Sequence, residues 1–158
     1  MMKNQKQPYD SKDDTLRHIE LVQLHMKLVI RALSFRSDGH DSSKMEDPEK
    51  EVFDIYTPRL RGLSYGSEEY KQTLADMYPA LEHHYRVNAH HPEHFKNGID
   101  GMNLLDLIEM VCDWMAAVKR HDDGDIGRSL SINSKRFGIS EQLQNVIKNT
   151  VDWLGDAG

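Results

Sequence analysis

Between Thr15 and Leu33, Val22, Met26, Val29, Ile30 and Leu33 recur three or four residues apart, with Glu20, Lys27 and Arg31 on the other side. That period predicts an amphipathic helix with one face to bury. "RSDGHDSSK" breaks the pattern. Asp47 followed by Pro48 predicts an N-cap with proline at the first helical position, so "DPEKEVFDIYTPRL" reads as a second helix ending before Pro58. Ser67 ahead of Glu68 and Glu69 predicts the cap of a third helix, interrupted or restarted at Pro79 and continuing to Pro92. Residues 102–118, "MNLLDLIEMVCDWMAAV", read as the most apolar helix, and Ser140 as the cap of a last one from Glu141 to about Leu154. "RGLSYGSEEY", "FKNGIDG" and "HDDGDIG" read as loops. No run alternates in the manner of a strand. The pattern predicts an all-α, single-domain helical bundle over residues 15–155, behind a flexible N-terminal segment, 1–14.

Composition narrows this picture. With 158 residues, 38% hydrophobic and 29% charged, the chain reads as one globular domain with its own core. No apolar run approaches the roughly 20 residues a membrane-spanning helix needs. The polar opening "MMKNQKQPYDSKDD" has no secretory core, so a cytoplasmic location is expected. A net charge of −6 argues against an extended nucleic-acid groove but leaves room for a small anion. Cys112 is the one cysteine, which excludes an intrachain disulfide and a thiolate zinc site within one chain. Among Met110, Val111 and Trp114 it reads as a small buried apolar residue.

Some polar residues fall where apolar ones belong. His18 and His25 share a stripe with Val22 and Val29. Asp106, Glu109 and Asp113 lie within an arc of about 60° on the apolar 102–118 helix. That helix has no basic residue before Lys119, so an inward acidic stripe needs a nearby cation or a bound proton. "HHYRVNAHHPEHF" holds five of the chain's nine histidines. On a helix continuing from Pro79, His84, Asn88 and His91 share one face, and His83, Val87 and His90 another. Spacing does not decide which set faces inward; His84 and His91 are the pair we expect there.

"HDSSK", His40 to Lys44, resembles the His-Asp signature of the HD-domain superfamily of metal-dependent phosphohydrolases. "VCDWMAA" is similar to that superfamily's last ligand segment, an aspartate in an apolar helix followed by small residues. Over roughly residues 15–152 the chain also resembles an uncharacterised group of bacterial and phage proteins related to HD domains, for which no activity can be carried over. The resemblance implies His18 as first ligand, with His25 as the alternative; His40 and Asp41 as the paired ligands; and Asp113 as the last, with Asp106 as the alternative or as catalytic support. The first ligand departs from the usual pattern, since only 22 residues separate His18 from His40. The many histidines after the pair resemble those of binuclear branches, so His84 and His91 are candidates for a second metal or for substrate phosphate.

Two histidines and two carboxylates would suit one or two ions of manganese, iron, cobalt, nickel or zinc. The reaction implied is hydrolysis of a nucleotide or related small phosphate ester by hydroxide generated at the metal. Lys44 is positioned to neutralise phosphate or to hold a ligand carboxylate. Arg86, Asn88, Lys96 and Arg136, with Asn133, are substrate-binding candidates, and Glu46, Glu49 and Glu51 are candidate proton shuttles or simply the acidic first turn of a helix. A non-catalytic, metal-stabilised nucleotide- or protein-binding module is the main alternative. A diiron oxygenase and a pH-switched helical interaction protein are further ones. A homodimer through Trp153 and the last helix is compatible with the pattern.

Overall fold

The structure, a computed structural model, describes residues 9–64, 66–120 and 124–157. All seven α-helices and three short 3-10 turns are accounted for without a strand among those residues. The expected N-terminal segment falls largely outside the described part, and so does the middle of "HDDGDIG". The chain divides into two units, Met1–Asp38 and Gly39–Gly158.

The first unit is represented by α1, Lys12–Gly39. It starts before Thr15 because Asp10 accepts from the Lys12 N–H at 3.0 Å and Ser11 accepts from Thr15. Asp13 and Asp14 at its start and Arg36 in its last turn complement the helix dipole. None of its residues is buried.

The second unit holds the core. Helix α2 spans Glu49–Arg61, α3 Glu68–Asp76 and α4 Tyr78–Val87; α5 spans Leu104–Val118, α6 Ile126–Phe137 and α7 Glu141–Ala157. Met110, Val111 and Trp114 of α5 pack with Leu130 of α6, with Ile139, and with Ile147 and Val151 of α7. Met77 and Ala80, both 1% exposed, are buried where α3 gives way to α4, and α4 packs on α2.

Four expectations are corrected. Helix α2 begins at Glu49 with Pro48 in the cap position, and it runs through Pro58 to Arg61. Proline's φ suits a helix and its ring removes one hydrogen bond, which a helix held by its neighbours tolerates. Helix α4 stops at Val87 rather than reaching Pro92, and Asn88 is already extended. Cys112 is exposed: it continues an outward stripe with Leu104 and Ile108, four residues apart, away from Met110 and Trp114. Helix α6 was not anticipated. Asp125 caps it by accepting from the Arg128 N–H, and Gly138 ends it at φ 65°, a conformation glycine adopts freely.

Candidate metal centre

The site opens on the His-Asp pair. Asp41 adopts left-handed φ 55° and ψ 15° at the head of the 3-10 turn Ser42–Met45. For a residue with a Cβ that conformation costs about 1 kcal/mol or more, and such costs gather at functional positions. It splits the carboxylate between two directions. Oδ2 lies 2.5 Å from Lys44 Nζ and 3.6 Å from His40 Nε2, whereas Oδ1 lies 3.3 Å from His84 Nε2 and 3.5 Å from His90 Nε2.

Two glutamates orient four imidazoles. Glu49, 0% exposed in the first turn of α2, sits 2.8 Å from His83 Nδ1 and 2.9 Å from His84 Nδ1. Ser43 Oγ donates to the same carboxylate at 3.1 Å, and Asn88 Nδ2 donates to Ser43 Oγ at 2.9 Å. Glu109 Oε1 on α5 lies 2.9 Å from His40 Nδ1 and 3.1 Å from His90 Nδ1. An ionised carboxylate only accepts, so each Nδ1 must carry the hydrogen and donate. The Nε2 lone pairs of His40, His84 and His90 are then left facing inward, which is how outer carboxylates prepare histidine for a metal.

Those lone pairs converge. Asp41, His84, His90 and His91 each place one ligand atom within 4.8 Å of the others. His84 Nε2 and His91 Nε2 are 2.9 Å apart, a separation needing either a shared proton or a cation. Asp41 Oδ1 and His90 Nε2 are buried and make no hydrogen bond among the described residues. Ligand atoms about 2.1 Å from an ion stand about 3.0 Å apart at octahedral angles and 3.4 Å at tetrahedral ones. The observed 2.9, 3.3 and 3.5 Å match that range, so the residues fit a divalent transition ion. A second group, His40, Asp41 and Asp113, is looser, with His40 Nε2 3.8 Å from Asp113 Oδ1. Asp41 belongs to both.

Burial alone would raise the Asp41 carboxyl, but the imidazoles of His84 and His90 and the Lys44 ammonium outweigh it and hold the group well below the carboxylate range. Burial, reinforced by the unfavourable electrostatics of a second proton beside His90 and His84, lowers His91 to about 2, so it offers a neutral nitrogen at any ordinary pH.

The expected residues are distributed as follows. His40, Asp41, Asp113, His84 and His91 are gathered in these groups. Lys44 holds Asp41. Asp106 is 1% exposed and closes a capping box with Asn103 at the start of α5. Asn88 is a strut to Ser43 and to the His84 carbonyl. Arg86 and Lys96 are exposed. His18 and His25 are exposed residues of α1, in the other unit, whereas each ligand group is built within residues 39–158. Sequence reasoning missed His90 as a ligand and Glu49 and Glu109 as braces. Because α4 ends at Val87, the segment before Pro92 leaves the helical phase and both histidines of the His90–His91 pair reach one point. Pro92, which disfavours helix in the residue before it, was the available signal.

A cavity of about 580 Å³ adjoins the cluster, with Lys44, His91 and Asp113 in its wall. Tyr85, Glu93 and Arg136 line the same end, and the Arg136 guanidinium lies 2.7 Å from Glu93. Burial and the nearby Glu93 raise the Tyr85 hydroxyl above its ordinary range, keeping it a donor. The wall also includes Phe53, Trp114 and Phe137, with the last two stacked at 6.3 Å and 8°.

A family model described as a family of unknown function, DUF5662, matches residues 7–155, and the chain belongs to that family. Neither the curated proteins nor the solved structures give a match.

Proposed function

We propose that the protein is a metal-dependent phosphohydrolase of HD type, acting on a nucleotide or related small phosphate ester. One observation carries the reading. Imidazole Nε2 atoms and a split carboxylate from separate segments converge, braced by the buried Glu49 and the half-buried Glu109, at the wall of a cavity that also presents a lysine and an arginine. His84, His90, His91 and Asp41 would hold one ion, and His40, Asp41 and Asp113 would contribute to a second. Such an ion supplies Lewis acidity toward a phosphoryl oxygen and lowers the pKa of a bound water from 15.7 to about 7.

The chain's own residues do the remainder. Lys44 presents its ammonium to the substrate phosphate while holding Asp41 Oδ2, and so keeps Oδ1 turned to the histidines. Tyr85 donates a hydrogen bond to a phosphoryl oxygen through a hydroxyl that stays protonated at neutral pH. Arg136, carried by α6, offers planar two-pronged contacts to the same group. The aromatic walls exclude water and cover the ester's organic part.

The test is metal analysis of the purified protein and phosphate release from a panel of nucleotides with manganese, cobalt, nickel or zinc supplied. Turnover that disappears in Asp41→Asn with helical content intact supports the reading. Metal and nucleotide binding without turnover favours the non-catalytic binding module, and no metal binding defeats both.

A further inference from the structure

The far end of the cavity is as cationic as the near end. Arg61, Arg120 and Arg128 line it, and Asp125, the cap of α6, lies among them. Each belongs to a different wall, and each wall runs away from the cluster. On α2, eight residues separate Phe53, over whose ring Lys44 sits at 5.2 Å, from Arg61. On α6, eight separate Arg136, paired with Glu93, from Arg128. Beside α5, seven separate the ligand Asp113 from Arg120. At 1.5 Å per helical residue these intervals are about 10–12 Å. Three guanidinium groups thus share the end of the cavity remote from the cluster, with no ion pair among the described residues. Between the ends the wall is mixed, with Leu60, Ala117 and Ile132 beside Thr57, Ser129 and Asn133.

We infer that the cavity takes a phosphate ester bearing a second anionic group, phosphate or carboxylate, about 10–12 Å from the first. The distal arginines bind that second group and select for it. This rests on the phosphohydrolase reading for the identity of the near group, although the far subsite makes its own demand. A guanidinium is suited to it, since it stays charged and contacts either oxyanion with two N–H groups. The net charge of −6 sharpens the argument: cations gathered around one cavity of an acidic protein mark where anions are admitted.

Biphenyl-4-yl phosphate and its 4′-carboxylate supply the test, because the added carboxylate lies at the required separation on a rigid spacer. Equilibrium binding to the manganese-supplemented full-length protein should favour the carboxylated ester by about tenfold or more, as charge-assisted hydrogen bonds to a second anion imply. Replacing Arg61, Arg120 and Arg128 together by glutamine should bring the two affinities level while leaving that for the plain ester unchanged. Equal affinities in the unaltered protein, an advantage that survives the triple substitution, or no binding of either ester overturns the inference. Phosphate release from the plain ester is read separately. Its absence with every metal counts against the phosphohydrolase, while the affinity ratio still decides the far subsite.

Discussion

Glu49 shows how much one residue carries. Its carboxylate is wholly buried, and a buried charge persists only where partners compensate for leaving water. Here the partners are His83, His84 and Ser43, and the effect is to fix which nitrogen of His84 remains a lone pair. In Glu49→Gln the amide retains one acceptor and sets an N–H₂ against a second donor, so one imidazole loses its orientation. Metal affinity should fall about 10–100-fold, the usual cost of an altered outer partner, with the helical spectrum little changed; titration with cobalt and manganese would read it, and unaltered affinity would show the brace to be idle. His91 gives a pH dependence. Its ordinary value is 6.5 and the fold lowers it to about 2, so below pH 6.5 the unfolded chain takes up a proton that the folded chain refuses. Asp41, also lowered, acts in the same direction below its ordinary value of 3.8. Metal-free protein should therefore lose stability steadily as pH falls from about 6.5, and His91→Asn should flatten the upper part of that slope in denaturant titrations. A midpoint constant from pH 7 to 5 would contradict the assignment.

Helices were legible where one apolar stripe ran unbroken. The 102–118 segment announced both its span and its acidic face, and Ser67 and Ser140 marked two starts through their side-chain bonds. Helix α6 was illegible because two of its inward residues, Asn133 and Ser134, are polar, each 6% exposed, which interrupts the stripe formed by Leu130 and Phe137. The geometry of the site was hidden for a related reason. A helical wheel divides His84 and His91 from His90, and the wheel ceases to apply at Asn88, where α4 ends. His40, Asp41 and Asp113 could be named from their resemblance to a known signature. The bracing glutamates could not, since nothing local distinguishes Glu49 from the other acids of a helix's first turn. At the end of α6, Gly138→Ala should destabilise by about 1–2 kcal/mol, because the left-handed conformation that lets the Ile139 N–H reach the Ser134 carbonyl at 2.9 Å penalises a Cβ. Urea unfolding would measure this, and a neutral result would mean the turn relaxes.

At the scale of the molecule the question is what offsets the convergence of like groups. Five imidazoles, two aspartates and two glutamates drawn together in residues 39–158 do nothing for the core, whose apolar cluster lies along α5, α6 and α7. Part of the compensation is internal, in the Glu–His pairs and Lys44. On the proposed reading the remainder would be a cation, and anything that binds only the folded state stabilises it by mass action. A divalent ion at about 100 times its dissociation constant should add about 2.7 kcal/mol, or about 5–10 °C in melting temperature for a unit of this size. Trp114, 9% exposed in the core, gives the fluorescence signal, and Trp153, 70% exposed, contributes little change on unfolding. Asp41→Asn should abolish the shift, since Asp41 serves both ligand groups, and it keeps a residue that tolerates the left-handed backbone. The same melt separates a metal centre from a histidine cluster that merely senses acidity. A metal centre responds to manganese, cobalt, nickel or zinc and to chelator at constant pH. A melting temperature that follows pH but ignores all four metals and the chelator would leave the imidazoles as a proton-responsive cluster and remove the basis for hydrolysis.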